Sequence, residues 1–404
     1  MAQIGCYVVL FITLFSGAWP VKHNDPPKQL NEQSKDTSMV GINGPITNTN
    51  GTDNRSHEEF PDSPNAPLAA TDETTVTTVI KYVGYVTVPT LLVASLTGNC
   101  LTIIVMLSKT FWNSPCSPFL VALAISDSTY SMVIPFSNIF FRQLVGFDIR
   151  ALTESGCHIF FIFHKASKIT SSWFIVAICV ERFIAVWFPL KANSICKRRN
   201  LLLVVLTIFL AVYIFTGVWT FSTMIINGVC VPNYATPDTA VLARAYLVAG
   251  SMVFSLIPAS ILIILTPATC YKLFKHQAKR MELSVAHSNT GASNNRRASQ
   301  TTVMLLGVTI AYIILVTPTC ILHNICFSLN ISLYETKDLT MSIARAVIQF
   351  TEQLNFSINF ILYLLCNRSF RNRVLVILRL KTETQLTEGN HIQGPLTRQT
   401  TPRY

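Results

Sequence analysis

Ionisable side chains of this sequence stand inside long apolar runs, where each needs a partner or a task. His164, Lys165 and Lys168, in FHKASK, lie three and four residues apart and so share one face of a helix. Glu352 occurs far along the chain, in QFTEQLNFSINF, two helical turns before Asn359. Two chemistries suit this set, and both stay open. One is a structural Lys168–Glu352 ion pair; the other is a basic cavity for an anionic group of a ligand. Arg244, His323, Arg345 and Gln349 would enrich such a cavity. A second set comprises Asp127 in LVALAISDSTYS, Asn99 in SLTGNCLTII, Ser171, Asn355 and Asn359. It suits either a hydrogen-bonded buried acid or a pocket for a small cation. Glu181 and Arg182 are neighbours at the edge of an apolar run, ahead of the basic cluster Lys197–Arg199. Within a bilayer an ionisable side chain costs about 2.5–3.5 kcal/mol on insertion scales, so each is a functional candidate by default.

The elements that must position these residues are long and apolar. Of 404 residues, 50% are hydrophobic and only 13% charged, and mean hydropathy is +0.43. A soluble domain carries about 25% charged residues, so this chain lacks the polar surface to cover a water-exposed globule. Seven runs are long enough to cross a bilayer, near 79–107, 117–141, 157–187, 200–226, 241–270, 302–328 and 341–366. They are continuous rather than alternating, which predicts helices and not a β-barrel. The expected fold is an all-α membrane protein, a seven-helix bundle over 79–380 that ends in a short cytoplasmic amphipathic helix. Basic residues gather between spans three and four (Lys191, Lys197, Arg198, Arg199), between five and six, and after span seven. The positive-inside rule therefore puts the amino terminus outside and the carboxyl terminus inside, in a multi-pass plasma-membrane topology. The charge of +11 follows from that topology and does not point to nucleic acid.

Residues 6–18 (CYVVLFITLFSGA) suit the core of a signal peptide over 1–18, with Ser16 and Ala18 as small cleavage-site residues. Residues 19–78 lack periodicity and read as a disordered outer tail. That tail carries the glycosylation triplets at Asn50 and Asn54, and a third triplet at Asn330 falls on the same side. Of 11 cysteines, Cys157 and Cys230 face the oxidising side and are expected to pair, with Cys326 the other local candidate. No His/Cys cluster suggests a metal site. His158, His164 and His323 lack the carboxylate and third ligand of a membrane zinc hydrolase, so no enzyme is expected. A channel or transporter would favour internal repeats or broken helix pairs, which are not found.

Gly98-Asn99, LAISD ending at Asp127, the placing of Cys157 ahead of Glu181-Arg182-Phe183, Pro258, Pro318 and NFILY (Asn359 to Tyr363) resemble rhodopsin-like (class A) G-protein-coupled receptors. Phe370-Arg371 is similar to the start of the family's short eighth helix. The resemblance implies a receptor for an extracellular peptide or small-molecule ligand that activates heterotrimeric G proteins and engages arrestin. It implies that Arg182 is restrained by Glu181 at rest, that Tyr363 swings inward on activation, and that Pro258 and Pro318 let spans five and six move. It also implies that Asp127, Ser171, Asn355 and Asn359, beside Asn99, hold a sodium ion; no other cofactor is expected.

Departures from the family pattern are Val316 for the span-six tryptophan, Phe360 for the span-seven proline, Phe209 for the span-four tryptophan and Thr266 for the span-five tyrosine. No acid lies near Ala298, where many such receptors lock the arginine; Arg296 and Arg297 are there instead. ERFIAVWFPLKA and SINFILYLLCNRSFR look most like invertebrate neuropeptide receptors of the FMRFamide-like and thyrotropin-releasing-hormone-like groups, and like molluscan chemosensory receptors. His164 stands where amine receptors carry an aspartate, so the resemblance argues against a biogenic amine. A neuropeptide ligand is therefore expected, with a small acidic chemosensory ligand as the alternative. RRAS suits either a kinase site at Ser299 or a basic membrane-inside flank with an unmodified serine, and the threonines of the tail (381–404) suit either arrestin-directed phosphorylation or a Thr-rich tail without that role.

Overall fold

The computed structural model describes residues 66–380 apart from 113, 138–139, 220–222, 234, 285–291 and 329–338. The expected signal peptide, the glycosylation sites Asn50, Asn54 and Asn330, and the tail threonines lie outside the described residues, as do the side chains of Ser299 and His323. Seven long helices make up the described bundle: Ala66–Met106, Ser117–Val133, Glu154–Trp187, Arg198–Trp219, the interrupted pair Pro237–Ser251 and Ile257–Ser284, Ala292–Ser328, and Leu339–Cys366. They are numbered below as spans one to seven. The first six contain stretches long and apolar enough to cross a membrane. Span seven is 28 residues long but carries Arg345, Gln349, Glu352, Gln353, Asn355 and Asn359, which lower its hydropathy below the others.

Boundaries shift where local chemistry intervenes. Span one starts at Ala66 rather than near 79, because a helix continues beyond its apolar section without any hydropathic sign. Span two stops at Val133 rather than near 141, passing into a 3-10 turn, Ile134–Phe136. Pro135 has no N–H to extend the helix there. Span three starts where the Thr153 side chain accepts from the Gly156 N–H, capping the helix. The expected end of span four, 220–226, is not all helix: strand β1 (Thr223–Ile226) pairs antiparallel with β2 (Val229–Pro232). Asn227 and Gly228 turn that hairpin with φ of 50° and 70°, the left-handed pair that a two-residue turn demands.

Span three is the axis of the bundle. It packs against spans two, four, five and six and against β1, while span seven lies between spans one and six. Gly98 permits the close approach of spans one and seven: a Cβ there would lie 2.8 Å from the Phe360 Cβ. The bulky Phe360, in place of a proline, is thus accommodated by a missing side chain opposite. The short helix Arg368–Ile377 is capped by Asn367, whose side chain accepts from the Phe370 N–H at 3.1 Å. Its Phe370 and Val374 are one turn apart and buried, so one apolar face docks on the bundle.

Span five is interrupted by a π-helical turn, Met252–Leu256, just ahead of Pro258. The Ile257 N–H bonds to the Met252 carbonyl, five residues back, and Pro258 has no N–H. The Val253 and Phe254 carbonyls thereby lose their usual helical donors. The Trp173 indole N–H, from span three, donates to the Val253 carbonyl at 3.1 Å. The Tyr312 hydroxyl, from span six, lies 3.2 Å from the Phe254 carbonyl and 3.0 Å from the Ser172 hydroxyl. The distortion is thus satisfied by side chains of two neighbouring helices.

Candidate functional site

At the end of span three opposite the disulfide, Glu181 and Arg182 form a bidentate ion pair. The Arg182 Nε and one terminal nitrogen donate to the two carboxylate oxygens of Glu181. Adjacent helical residues do not normally face each other, so the pair holds both side chains along the helix surface. Both are buried, at 3% and 9% exposure; a charge there would be costly without its partner. Among the described residues Glu181 is the carboxylate that pairs with Arg182. Tyr363 is fully buried in the main apolar cluster of the bundle, edge-on to Phe370 with ring centroids 5.5 Å apart. Met304, Leu305 and Val308 of span six belong to that cluster, so apolar packing holds span six at this level.

Midway along the bundle Asp127 is fully buried. One carboxylate oxygen accepts from the Ser171 hydroxyl at 2.6 Å and the other from the Asn359 amide at 2.8 Å. Ser131 continues the network to the Ser95 hydroxyl at 2.7 Å, and Ser95 and Asn99 both donate to the Phe356 carbonyl. Asn355 is buried one turn before Asn359 without a bond to the carboxylate. Four spans, one, two, three and seven, thus meet at one acid and its hydroxyl and amide neighbours. An acid with hydroxyl and amide oxygens is a donor set that fits a hard monovalent cation.

Nearer the disulfide, Lys168 and Glu352 are ion-paired, with side-chain exposures of 12% and 9%. The Lys168 ammonium also stands 4.7 Å over the Phe254 ring, a cation–π contact. Of the two open readings of this set, the ion pair is therefore formed. A cavity lies beside it all the same. Lys165 and Lys168 line it, opposite the rings of Phe215, Tyr246 and Phe254 and the hydroxyls of Ser251 and Thr319. Most of the other expected lining residues do not reach it. Arg244 is exposed because its position on span five turns away from the bundle. Arg345 donates to Ser342 at 2.8 Å, and Gln349 is half-buried. Glu352 is drawn to Lys168 and is not part of the wall.

His164 does not line the cavity either. It stacks between Phe160, at 5.4 Å, and Tyr130, at 5.6 Å, and Tyr130 stacks in turn on Phe356 at 3.9 Å. This column of rings reaches the disulfide end through Arg150, whose guanidinium lies 4.6 Å over Phe160. Asp148 holds Arg150 through two side-chain hydrogen bonds of 2.8 and 2.7 Å and also accepts from the Cys230 N–H at 3.2 Å. Burial pushes the Asp148 carboxyl up. The hydrogen bonds and charge of Arg150, with the Cys230 N–H, outweigh that and hold it below the usual carboxylate range. The Cys157–Cys230 disulfide, with Cα atoms 5.6 Å apart, ties the hairpin to span three. Cys326, the other candidate, is a buried free thiol.

Sequence reasoning missed the aromatic wall, the Trp173 and Tyr312 caps and the Asp148–Arg150 clamp. Only the hairpin had a local signal, Asn227-Gly228 between apolar residues. Residues 98–363 match the family described as 7 transmembrane receptor (rhodopsin family). The chain is also similar to the galanin-like G-protein coupled receptor npr-9 of Caenorhabditis elegans, with 23% identity over 326 residues, covering 73% of this chain and 74% of that protein.

Proposed function

This chain belongs to the rhodopsin family of 7 transmembrane receptors, and from that premise we propose that its ligand is an extracellular peptide. The family implies an extracellular ligand, a G-protein partner and a multi-pass membrane location. The finer reading puts the amino terminus and the disulfide end outside the plasma membrane, by the loop charges. The galanin-like relative supports a neuropeptide as ligand, and arrestin is a further cytoplasmic partner through the threonine-rich tail.

The observation that carries this reading is the arrangement along span three. One helix bears Lys165 and Lys168 at a cavity and, toward its other end, the buried Glu181–Arg182 pair. Between them Ser171 bonds to Asp127. Ligand contact, the polar centre and the charge latch are therefore carried by one rigid element, whose shift or rotation reaches all three. At the centre, Asp127, Ser171, Asn355 and Asn359 would hold a sodium ion, which supplies the positive charge a buried carboxylate needs. In the resting state Glu181 holds Arg182; releasing it frees the guanidinium toward the G protein.

One observation favours a second reading: two ammonium groups line the cavity, which also suits a small acid. A reporter screen in cells with a promiscuous G protein, using free-acid and amidated neuropeptides beside small organic acids, tests both. A peptide response supports the first reading, a response confined to small acids the second. No G-protein signal from any ligand, with none from a latch-opened variant, contradicts receptor function.

A further inference from the structure

The ligand cavity is small and chemically one-sided. The centre of a water-sized sphere has about 100 Å³ in which to move, well below the several hundred that accommodate a whole drug-sized ligand. It is room for one end group. Spans three to six wall it. Span three contributes Lys165 and Lys168, three residues apart on one helix face; the other spans contribute Phe215, Tyr246 and Phe254. The wall carries two ammonium groups and no carboxylate. Glu352 answers Lys168 from outside the wall, and the two lysines stand one helical turn apart on the face that lines the cavity.

We propose that this cavity takes the carboxylate end of an apolar acid. The carboxylate meets Lys165 in a charge-assisted hydrogen bond, and the ring or branched chain beside it packs among Phe215, Tyr246 and Phe254. Lys168, ion-paired with Glu352 and seated over Phe254, forms the floor. The proposal rests on the cavity being the receptor's ligand site. The same end group has two sources: the free carboxyl terminus of a peptide with an apolar last residue, or a small organic acid. An amidated terminus keeps the shape and loses the charge, so amidated peptides are poor occupants.

Thermal unfolding of the purified full chain in nanodiscs tests this without any signalling step. The probes are 3-phenylpropionate, 3-phenylpropionamide, and Gly-Gly-Phe as free acid and as amide, each titrated into the millimolar range. The phenylpropionate acid raises the midpoint by roughly 2 °C or more, and each amide acts at least about tenfold more weakly than its acid. A shift by both acids admits a peptide terminus; a shift by phenylpropionate alone assigns a small acid. Lys165→Met abolishes the acid shift, Lys165→Arg retains it, and Arg244→Gln, at an exposed position, leaves it intact. If Lys165→Met does not fold, the acid–amide comparison on the native chain decides alone. Equal shifts by acid and amide, persistence of the acid shift in Lys165→Met, or no shift from any probe overturns the proposal. G-protein signalling is measured separately, so failure here leaves the receptor reading standing, and a signalling failure with intact acid binding does the reverse.

Discussion

Breaking the Lys168–Glu352 pair has consequences that follow from its burial. Both side chains are almost withdrawn from water, at 12% and 9% exposure. Lys168→Met leaves the Glu352 charge buried without its partner, and Glu352→Gln leaves an ammonium facing only the Phe254 ring. Either loss costs about 3–5 kcal/mol, which is on the order of a hundred- to several thousandfold in the folded-to-unfolded ratio. The double variant Lys168→Met/Glu352→Leu removes both charges at similar volume and is expected near the native stability. The reversal Lys168→Glu/Glu352→Lys recovers most of the loss, since the attraction is kept and only the chain lengths are exchanged. Surface expression and thermal midpoint, measured for the singles and doubles as a cycle, isolate the coupling. Native stability in both singles refutes the reasoning; so do double variants that fall by the sum of the single losses.

Two further perturbations read other parts of the structure. Trp173→Phe keeps an aromatic ring but orphans the Val253 carbonyl, so the thermal midpoint falls by the equivalent of about 1–3 kcal/mol; Tyr312→Phe orphans the Phe254 carbonyl in the same way. Asp148 gives an acid limb. Its folded carboxyl lies below the usual range, so its contribution is complete above the unfolded value of about 4. That contribution is lost as pH falls through the lower folded value. A pH series of midpoints should show the loss at acidic pH in the native chain and a flatter limb in Asp148→Asn.

The bundle was largely legible because each signal was local and repeated. Seven apolar runs and a one-sided distribution of lysines and arginines need no tertiary knowledge. Asp127, Ser171 and Asn359 were legible because polar side chains inside apolar helices must find one another, and they do. Lys168 and Glu352 met for the same reason. The cavity wall was harder to read. Phe215, Tyr246 and Phe254 look like any lipid-facing or core aromatic in sequence, and only the relative rotation of spans four and five brings them opposite Lys165. Arg244 lies on the same helix as Tyr246 and Phe254, yet its position on that helix faces outward. His164 was drawn into a ring stack by Tyr130 and Phe160, residues with no sequence sign of that partnership. The Asp148–Arg150 clamp on Cys230 depends on where the hairpin lands, which no spacing announces.

The latch is tested most directly by basal signalling of Glu181→Gln. The substitution keeps the side chain's size and removes the charge that holds Arg182. No second carboxylate pairs with Arg182 among the described residues. Ligand-free G-protein reporter activity, at matched surface expression, is predicted to rise severalfold over the native chain and to vanish when Arg182→Ala is added. Basal activity unchanged by Glu181→Gln would contradict the account.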